Sequence, residues 1–303
     1  MYRQRIDSNK PALILFLIDR SGSMYEDWGS STFSESLSEG AAVAINEVIY
    51  DMALNGCVTQ DGIKDRVHIG VYGYGDGRVE WAIDSLSEGK GWAAAEDWVT
   101  GFGRKVDVPV SEDAGRIISK EVPFWVEPVS DGSTPMCAAL RKASEVVQSH
   151  IQHHPDSYPP IVINITDGLP TDTGVPIYDV DNYSPDWDVV RDAASAVTSI
   201  TCDDGNVLLL NIHLTCAVDG DQLVFPDQAP PGCDETVENM VLISSVLPAN
   251  MVLKGKELGL PIRENAHALI LDADRVMLTK FLDIGTTQVV SDQAQQKVLS
   301  SGT

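Results

Sequence analysis

Basic residues are scarce in this chain. Its 303 residues include 21 Lys and Arg against 45 Asp and Glu, a formal charge of −24. A nucleic-acid binder needs a basic face to displace counterions, and a peripheral membrane binder needs a basic amphipathic helix, so neither partner is expected. Cysteine is sparse too: Cys57, Cys137, Cys202, Cys216 and Cys233 are odd in number, widely spaced and without a C-x-x-C pair. That pattern argues against a thiolate zinc site and a disulfide framework, leaving free thiols. No stretch approaches the ~20 apolar residues that span a bilayer. Arg3, Arg5 and Lys10 precede an apolar run at 12–18, as in a secretory signal, but the run is short and no small-residue cleavage site follows. The expected location is cytoplasmic. The sequence also lacks a P-loop, a G-x-S-x-G elbow and a kinase signature set.

What is present is core material, with 43% hydrophobic residues, which excludes wholesale disorder. Short apolar runs at 12–18, 161–165 and 206–215 lack polar alternation, as in strands covered on both faces. Helical patterns separate them. Ser36 and Glu39 have capping-box spacing before a stripe of Leu37, Ala41, Ala44, Ile45, Val48 and Met52, which Asn55-Gly56 ends. Segments 67–74 and 79–83 flank Asp76-Gly77 and read as a hairpin. Thr134-Pro135 and Ser184-Pro185 open two further helices, and 234–246 and 272–282 read as helical. The run 266–271 fits a strand or a helix. The alternation predicts an open α/β sheet in one domain over 1–303. The stretch 84–133 is an elaborated insertion, expected to contain a helix near 92–99 and strands near 105–110 and 122–126.

Three separated pieces carry chemistry: Asp19-Arg20-Ser21-Gly22-Ser23 after the first strand, Thr134 at a helix start, and Asp167-Gly168 after the second buried strand. Asp19, Ser21, Ser23, Thr134 and Asp167 all end in oxygen, two as carboxylates and three as hydroxyls. Hard oxygen donors without His or Cys suit Mg²⁺ or Mn²⁺ rather than Zn²⁺. In open α/β sheets ligands bind beyond the carboxyl ends of strands where strand order reverses, which gives the two carboxylates a reason to meet. A helix N-terminus at Thr134 is expected to favour an anion beside the metal.

With these residues the sequence resembles the von Willebrand factor A (VWA) family, whose metal-ion-dependent adhesion site follows the pattern D-x-S-x-S, T, D. Ser133-Thr134-Pro135-Met136 and Thr166-Asp167-Gly168 agree with it as well. The resemblance covers about residues 11–285. It implies a doubly wound three-layer fold, a six-stranded and mostly parallel sheet with one antiparallel edge strand. It further implies that the three hydroxyls coordinate Mg²⁺, with Mn²⁺ or Ca²⁺ as substitutes. Asp19 and Asp167 would act through bound water, and a Glu or Asp of a protein partner would complete the shell. Without adhesion-type extracellular features the chain is similar to the intracellular bacterial branch, whose members serve as scaffolds. Their partners are AAA+ ATPases, Ser/Thr kinase and phosphatase pairs, or tellurium-resistance proteins.

The expected function is a non-enzymatic, metal-dependent protein-binding module. The alternative is a Mg²⁺-dependent hydrolase or phosphoryl-transfer enzyme using the same metal. His150, His153 and His154 share one helix end and read as dipole complementation. The tryptophans of the insertion, Trp92, Trp98 and Trp125, read as its packing, and His213 reads as core.

Overall fold

The computed structural model describes residues 2–28, 35–113, 116–179, 182–215 and 222–286. The first apolar run forms β1 (Ala12–Asp19), buried along its whole length. Leu13, Leu15 and Leu17 enter one apolar cluster while Ile14, Phe16 and Ile18 enter another. Successive strand side chains point to opposite faces, so a strand apolar throughout requires cover on both. A 3₁₀ turn (Gly22–Tyr25) leads toward α1 (Leu37–Tyr50). There the capping box forms: the Glu39 amide donates to Ser36 Oγ at 3.3 Å and the Ser36 amide to the Glu39 carboxylate at 2.8 Å. A π turn (Asp51–Asn55) carries the helix to Gly56.

A small hairpin, β2 (Val58–Thr59) with β3 (Gly62–Ile63), precedes β4 (Val67–Gly75) and β5 (Arg78–Trp81). Asp76 and Gly77 join the latter pair with φ of 47° and 71°, as a two-residue hairpin turn with right-handed strand twist demands. The insertion holds β6 (Ala93–Ala94), α2 (Ala95–Thr100), β7 (Arg104–Asp113) and β8 (Arg116–Phe124). β7 and β8 form an antiparallel ribbon, and Val122 and Phe124 pack it against Ala42 of α1. Next come α3 (Met136–His153), β9 (Ile161–Thr166), α4 (Trp187–Thr198) and the short hairpin of β10 (Thr201–Cys202) with β11 (Gly205–Asn206). The chain continues as β12 (Leu208–Leu214), β13 (Leu223–Val224), α5 (Glu235–Ile243), α6 (Ala249–Glu257), β14 (Leu269–Ala273) and α7 (Arg275–Gly285).

The sheet order is β13-β14-β12-β9-β1-β4-β5, with β6 paired to the start of β4. The five strands from β14 to β4 are parallel, whereas β13, β5 and β6 are antiparallel. The expected mostly parallel sheet is present, but the count of six and the single antiparallel edge are corrected to eight strands with antiparallel pairing at both edges. The additional strands are two residues long, too short to carry a periodicity of their own; their partners decide the pairing. Segment 266–271 resolves toward strand, as β14. The apolar sides of α1, α6 and α7 cover one face and those of α3, α4 and α5 the other.

From β1 the chain moves to β4 on one side and then returns to β9 on the other. Strand order therefore reverses between β1 and β9, opening a crevice at their carboxyl ends. No described helix is long and apolar enough to cross a membrane. Cys57, Cys137, Cys202 and Cys233 are free, and Cys216 lies outside the described residues.

Candidate metal centre

At that crevice the pairing Ile18↔Ile165 brings Asp19 beside Thr166, the last residue of β9. The Thr166 hydroxyl donates to Asp19 Oδ2 at 2.6 Å, and the Ser21 amide donates to Asp19 Oδ1 at 2.8 Å. The second bond is an Asx turn, the local reason that an Asp after a strand folds the chain back at Ser21. Ser21 Oγ then lies 3.1 Å from Ser23 Oγ and donates to Asp167 Oδ1 at 3.3 Å. Four of the five singled-out residues thus share one hydrogen-bonded cluster.

Thr134 borders this cluster. A Cβ built on Gly168 would stand 3.6 Å from its Oγ1, so the Thr134 hydroxyl faces the turn that follows Asp167. Thr171 clasps it, the Thr134 amide donating to Thr171 Oγ1 at 3.0 Å and the Thr171 amide to the Thr134 carbonyl at 2.9 Å. The motif loop is held from the other side by the Gly22 amide, which donates to the Gly132 carbonyl at 3.0 Å. Gly132 has φ of 77°, and a Cβ there would meet the Asp76 backbone at 2.6 Å, so this close approach requires glycine.

The electrostatics are those of an acidic corner without a matching cation. Asp19 is fully buried. Burial pushes its carboxyl up to about 7, the Thr166 hydrogen bond pulls it down, and the Asp167 charge raises it again. Burial also raises Asp167, against the hydrogen bond from Ser23 and the charge of His213. Among the described residues no Lys or Arg pairs with either carboxylate. Arg20, the sequence neighbour of Asp19, instead lies across Gly73, where the charges of Asp84 and Glu80 act on it. Two carboxylates and hydroxyl oxygens with no sulfur or ring nitrogen form a donor set that fits a hard divalent cation, and burial of uncompensated negative charge favours one.

The first free amides of α3 do not await an external anion, because Asp172 takes the Cys137 amide at 3.1 Å and the Ala138 amide at 2.8 Å. Asp172 serves as a cap from the following loop, and Asp172→Ala is expected to lower stability by about 1–2 kcal/mol, measured by urea denaturation. Sequence reasoning also missed Thr166, Thr171 and His213. His213 is half-buried rather than core, stands beside Thr166 in the register and reaches Asp272 at 3.5 Å. The sequence signals for Thr166 were its place between a buried strand and Asp167 and its part in the Thr166-Asp167-Gly168 match, neither of which gave it a role.

No protein-family model matches the sequence, and no curated protein matches it. Among solved structures, the chain is similar to proximal thread matrix protein 1 from the mussel byssus, solved with a zinc-occupied MIDAS motif. That match has 14% identity and a TM-score of 0.43, covering 95% of this chain and 49% of the other. The ArnB paralogue VWA2 of Sulfolobus acidocaldarius matches at 14% identity and TM-score 0.32, covering 68% of this chain and 35% of that one. The pilus adhesin RrgA of Streptococcus pneumoniae matches at 16% identity and TM-score 0.30, covering 59% and 23%. The chain spans about half or less of the length of each. What this chain shows by itself is a doubly wound α/β sheet with a cluster of oxygen donors at its switch point.

Proposed function

We propose that the chain is a VWA-type, non-enzymatic protein-binding module that engages an acidic residue of its partner through a divalent cation, Mg²⁺ in the cell. One observation carries the reading: Ser21, Ser23 and Asp167 gather their oxygens beside the fully buried Asp19, with no Lys or Arg pairing to either carboxylate among the described residues. The Ser21, Ser23 and Thr134 hydroxyls with Asp19 and Asp167 would hold the cation. Bound there, it supplies a Lewis-acidic point for a partner carboxylate.

The chain's own residues do the rest. Thr166 and the Ser21 amide fix the Asp19 carboxylate, and Thr171 fixes Thr134, so the donors are positioned before any partner arrives. The loops leaving these donors carry exposed apolar side chains, Tyr25 after Ser23 and Ile177 and Tyr178 after Thr171. Exposed aromatics beside a polar anchor are the usual material of an interface hot spot. Partner selection is assigned to these loops, with the AAA+ ATPase, kinase/phosphatase and tellurium-resistance classes as candidates in a bacterial cytoplasm.

The test is capture from host lysate on immobilised chain, in Mg²⁺ and in excess EDTA, repeated with Asp19→Ala. A specific partner should be retained in Mg²⁺ and lost in both other arms. The loss in affinity should be roughly 30-fold or more, as when one side of a buried charge contact is removed. A partner that binds equally in EDTA overturns the mechanism, and turnover of ATP or a phosphoester that Asp19→Ala abolishes transfers the site to the hydrolase reading.

A further inference from the structure

A second cluster of potential ligands lies at the other end of the sheet. Asp19 pairs with Tyr74 near the end of β4, whereas His68 is its second residue. Six positions at ~3.3 Å each place the two sites about 20 Å apart. Across from His68, the last turn of α3 contributes His150, and His154 follows at its cap. The helix-end histidines do not all face solvent as dipole complementation implies. His150 is fully buried, His68 is nearly so, and His154 is partly exposed. His153 does not join them, its Nδ1 bonding to the Ser149 carbonyl at 2.7 Å.

We propose that His68, His150 and His154 form a transition-metal site of the zinc class, separate from the oxygen-lined rim and different in metal preference. The donor spacing supports this. His68 Nδ1 and His150 Nε2 share a hydrogen bond at 3.1 Å, whose proton a metal would replace, and one ring nitrogen from each of the three residues lies within 4.8 Å of the others. Two nitrogens bound tetrahedrally at 2.0–2.1 Å stand ~3.3 Å apart, so the buried pair already has ligand spacing. His154 has to close the remaining gap, and it is the one ring of the three with room to turn.

The surroundings are those of a metal-bound imidazole. His68 Nε2 contacts Asp65 Oδ2 at 3.1 Å, and Asp65 Oδ1 accepts the Ala95 amide at 3.2 Å. A carboxylate pinned by backbone and bonded to the far nitrogen orients the ring and leaves the Nδ1 lone pair facing its neighbours. Trp92 stacks on His68 at 5.8 Å and meets the edge of His150 at 5.0 Å, walling one side of the cluster. Among the described residues, hydrogen bonds leave the cluster incomplete, since buried His150 Nδ1 has no partner there.

Imidazole donors select Zn²⁺, Co²⁺, Ni²⁺ or Cu²⁺ over Mg²⁺. Among the described residues the cluster supplies three ligands, which leaves a fourth position for water or an exogenous donor. Bound metal would tie the start of β4 to the end of α3 and, through Asp65, to the first residue of α2.

The untagged 303-residue chain, stripped with chelator and kept in excess Mg²⁺ to saturate the oxygen rim, is titrated with CoCl₂ alone. One equivalent should develop the visible absorption of four- or five-coordinate Co²⁺, and ZnCl₂ should displace it. His154→Ala should weaken the site 100-fold or more, and Asp65→Asn by about 10–100-fold, the usual consequence of removing an outer-shell partner. Asp19→Ala should leave the titration unchanged. Circular dichroism checks that His154→Ala remains folded, and His154→Gln is the substitute if it does not. A chain that leaves Co²⁺ in its aqueous, six-coordinate spectrum overturns the proposal. So does an unchanged titration in the folded His154 variant.

Discussion

Asp19→Asn is expected to raise the stability of the metal-free chain and to abolish its stabilisation by Mg²⁺. Both effects have one cause, a carboxylate that is fully buried and, among the described residues, paired with no Lys or Arg. Burial, only partly offset by the Thr166 hydrogen bond, lifts the Asp19 carboxyl from 3.8 to about 7. A carboxyl raised in the folded state contributes stability that is fully present below pH ~4 and is lost as pH rises through ~7. At 1.36 kcal/mol per pH unit, ionised Asp19 costs the metal-free fold on the order of 4 kcal/mol at pH 8. Asn has nothing to ionise, and its amide oxygen still accepts the Ser21 amide. Urea denaturation in EDTA should therefore show wild type losing stability relative to Asp19→Asn between pH 5 and pH 8. With Mg²⁺ the gap narrows, because only wild type binds the ion: a ligand adds about 2.7 kcal/mol at 100 times its Kd and about 4.1 kcal/mol at 1,000 times, where the gap at pH 8 closes. Equal stabilisation of both proteins would assign the Mg²⁺ effect to diffuse screening of a chain with charge −24.

How much of this was legible in the sequence depends on how local each cause is. β1, β9 and β12 announced themselves because a strand covered on both faces must be apolar throughout. The α1 cap was legible because both partners lie within three residues. Short strands β6 and β13 were not, since their pairing belongs to the edges of β4 and β14 rather than to their own two residues. α6 was missed because it buries only Met251, Val252 and Gly255. Its Gly255 is where Ile262 packs: a Cβ there would meet the Ile262 side chain at 2.1 Å.

The same division runs through the sites. The D-x-S-x-S turn is local, and its Asx bond could be anticipated from Asp19 and Ser21 alone. Asp172 capping α3 and Thr166 bonding Asp19 are consequences of register and loop return, invisible until β1 and β9 are aligned. His68 is the extreme case. In the run VHIGVYGYG it is one polar residue of a buried strand, and the ring that meets it lies 82 residues further on. Packing was the right expectation for Trp92, Trp98 and Trp125, all buried; Trp98 and Trp125 meet edge to face at 5.9 Å.

The insertion's attachment leads to a second large effect, expected at Asn46. This fully buried residue of α1 accepts the Trp125 amide at 2.8 Å and the Val126 amide at 3.1 Å through Oδ1, and donates to the Val126 carbonyl at 2.9 Å. One side chain thus satisfies three backbone groups where β8 gives way to the loop returning to the rim. Asn46→Ala strands all three away from water, each at about 1–3 kcal/mol, and a loss of about 3–5 kcal/mol is expected after partial relaxation. The effect should reach the metal site without touching a donor. A few residues beyond Val126, the Asp131 amide donates to the Arg20 carbonyl and the Gly132 carbonyl accepts the Gly22 amide, so this segment braces the motif loop. Asn46→Ala should therefore weaken the Mg²⁺-induced rise in Tm as well as lowering Tm in EDTA. If stability falls while the Mg²⁺ increment stays at its wild-type size, the insertion buttresses the core alone. The loop bearing Ser21 and Ser23 then owes its shape to the Asp19 turn rather than to its neighbour.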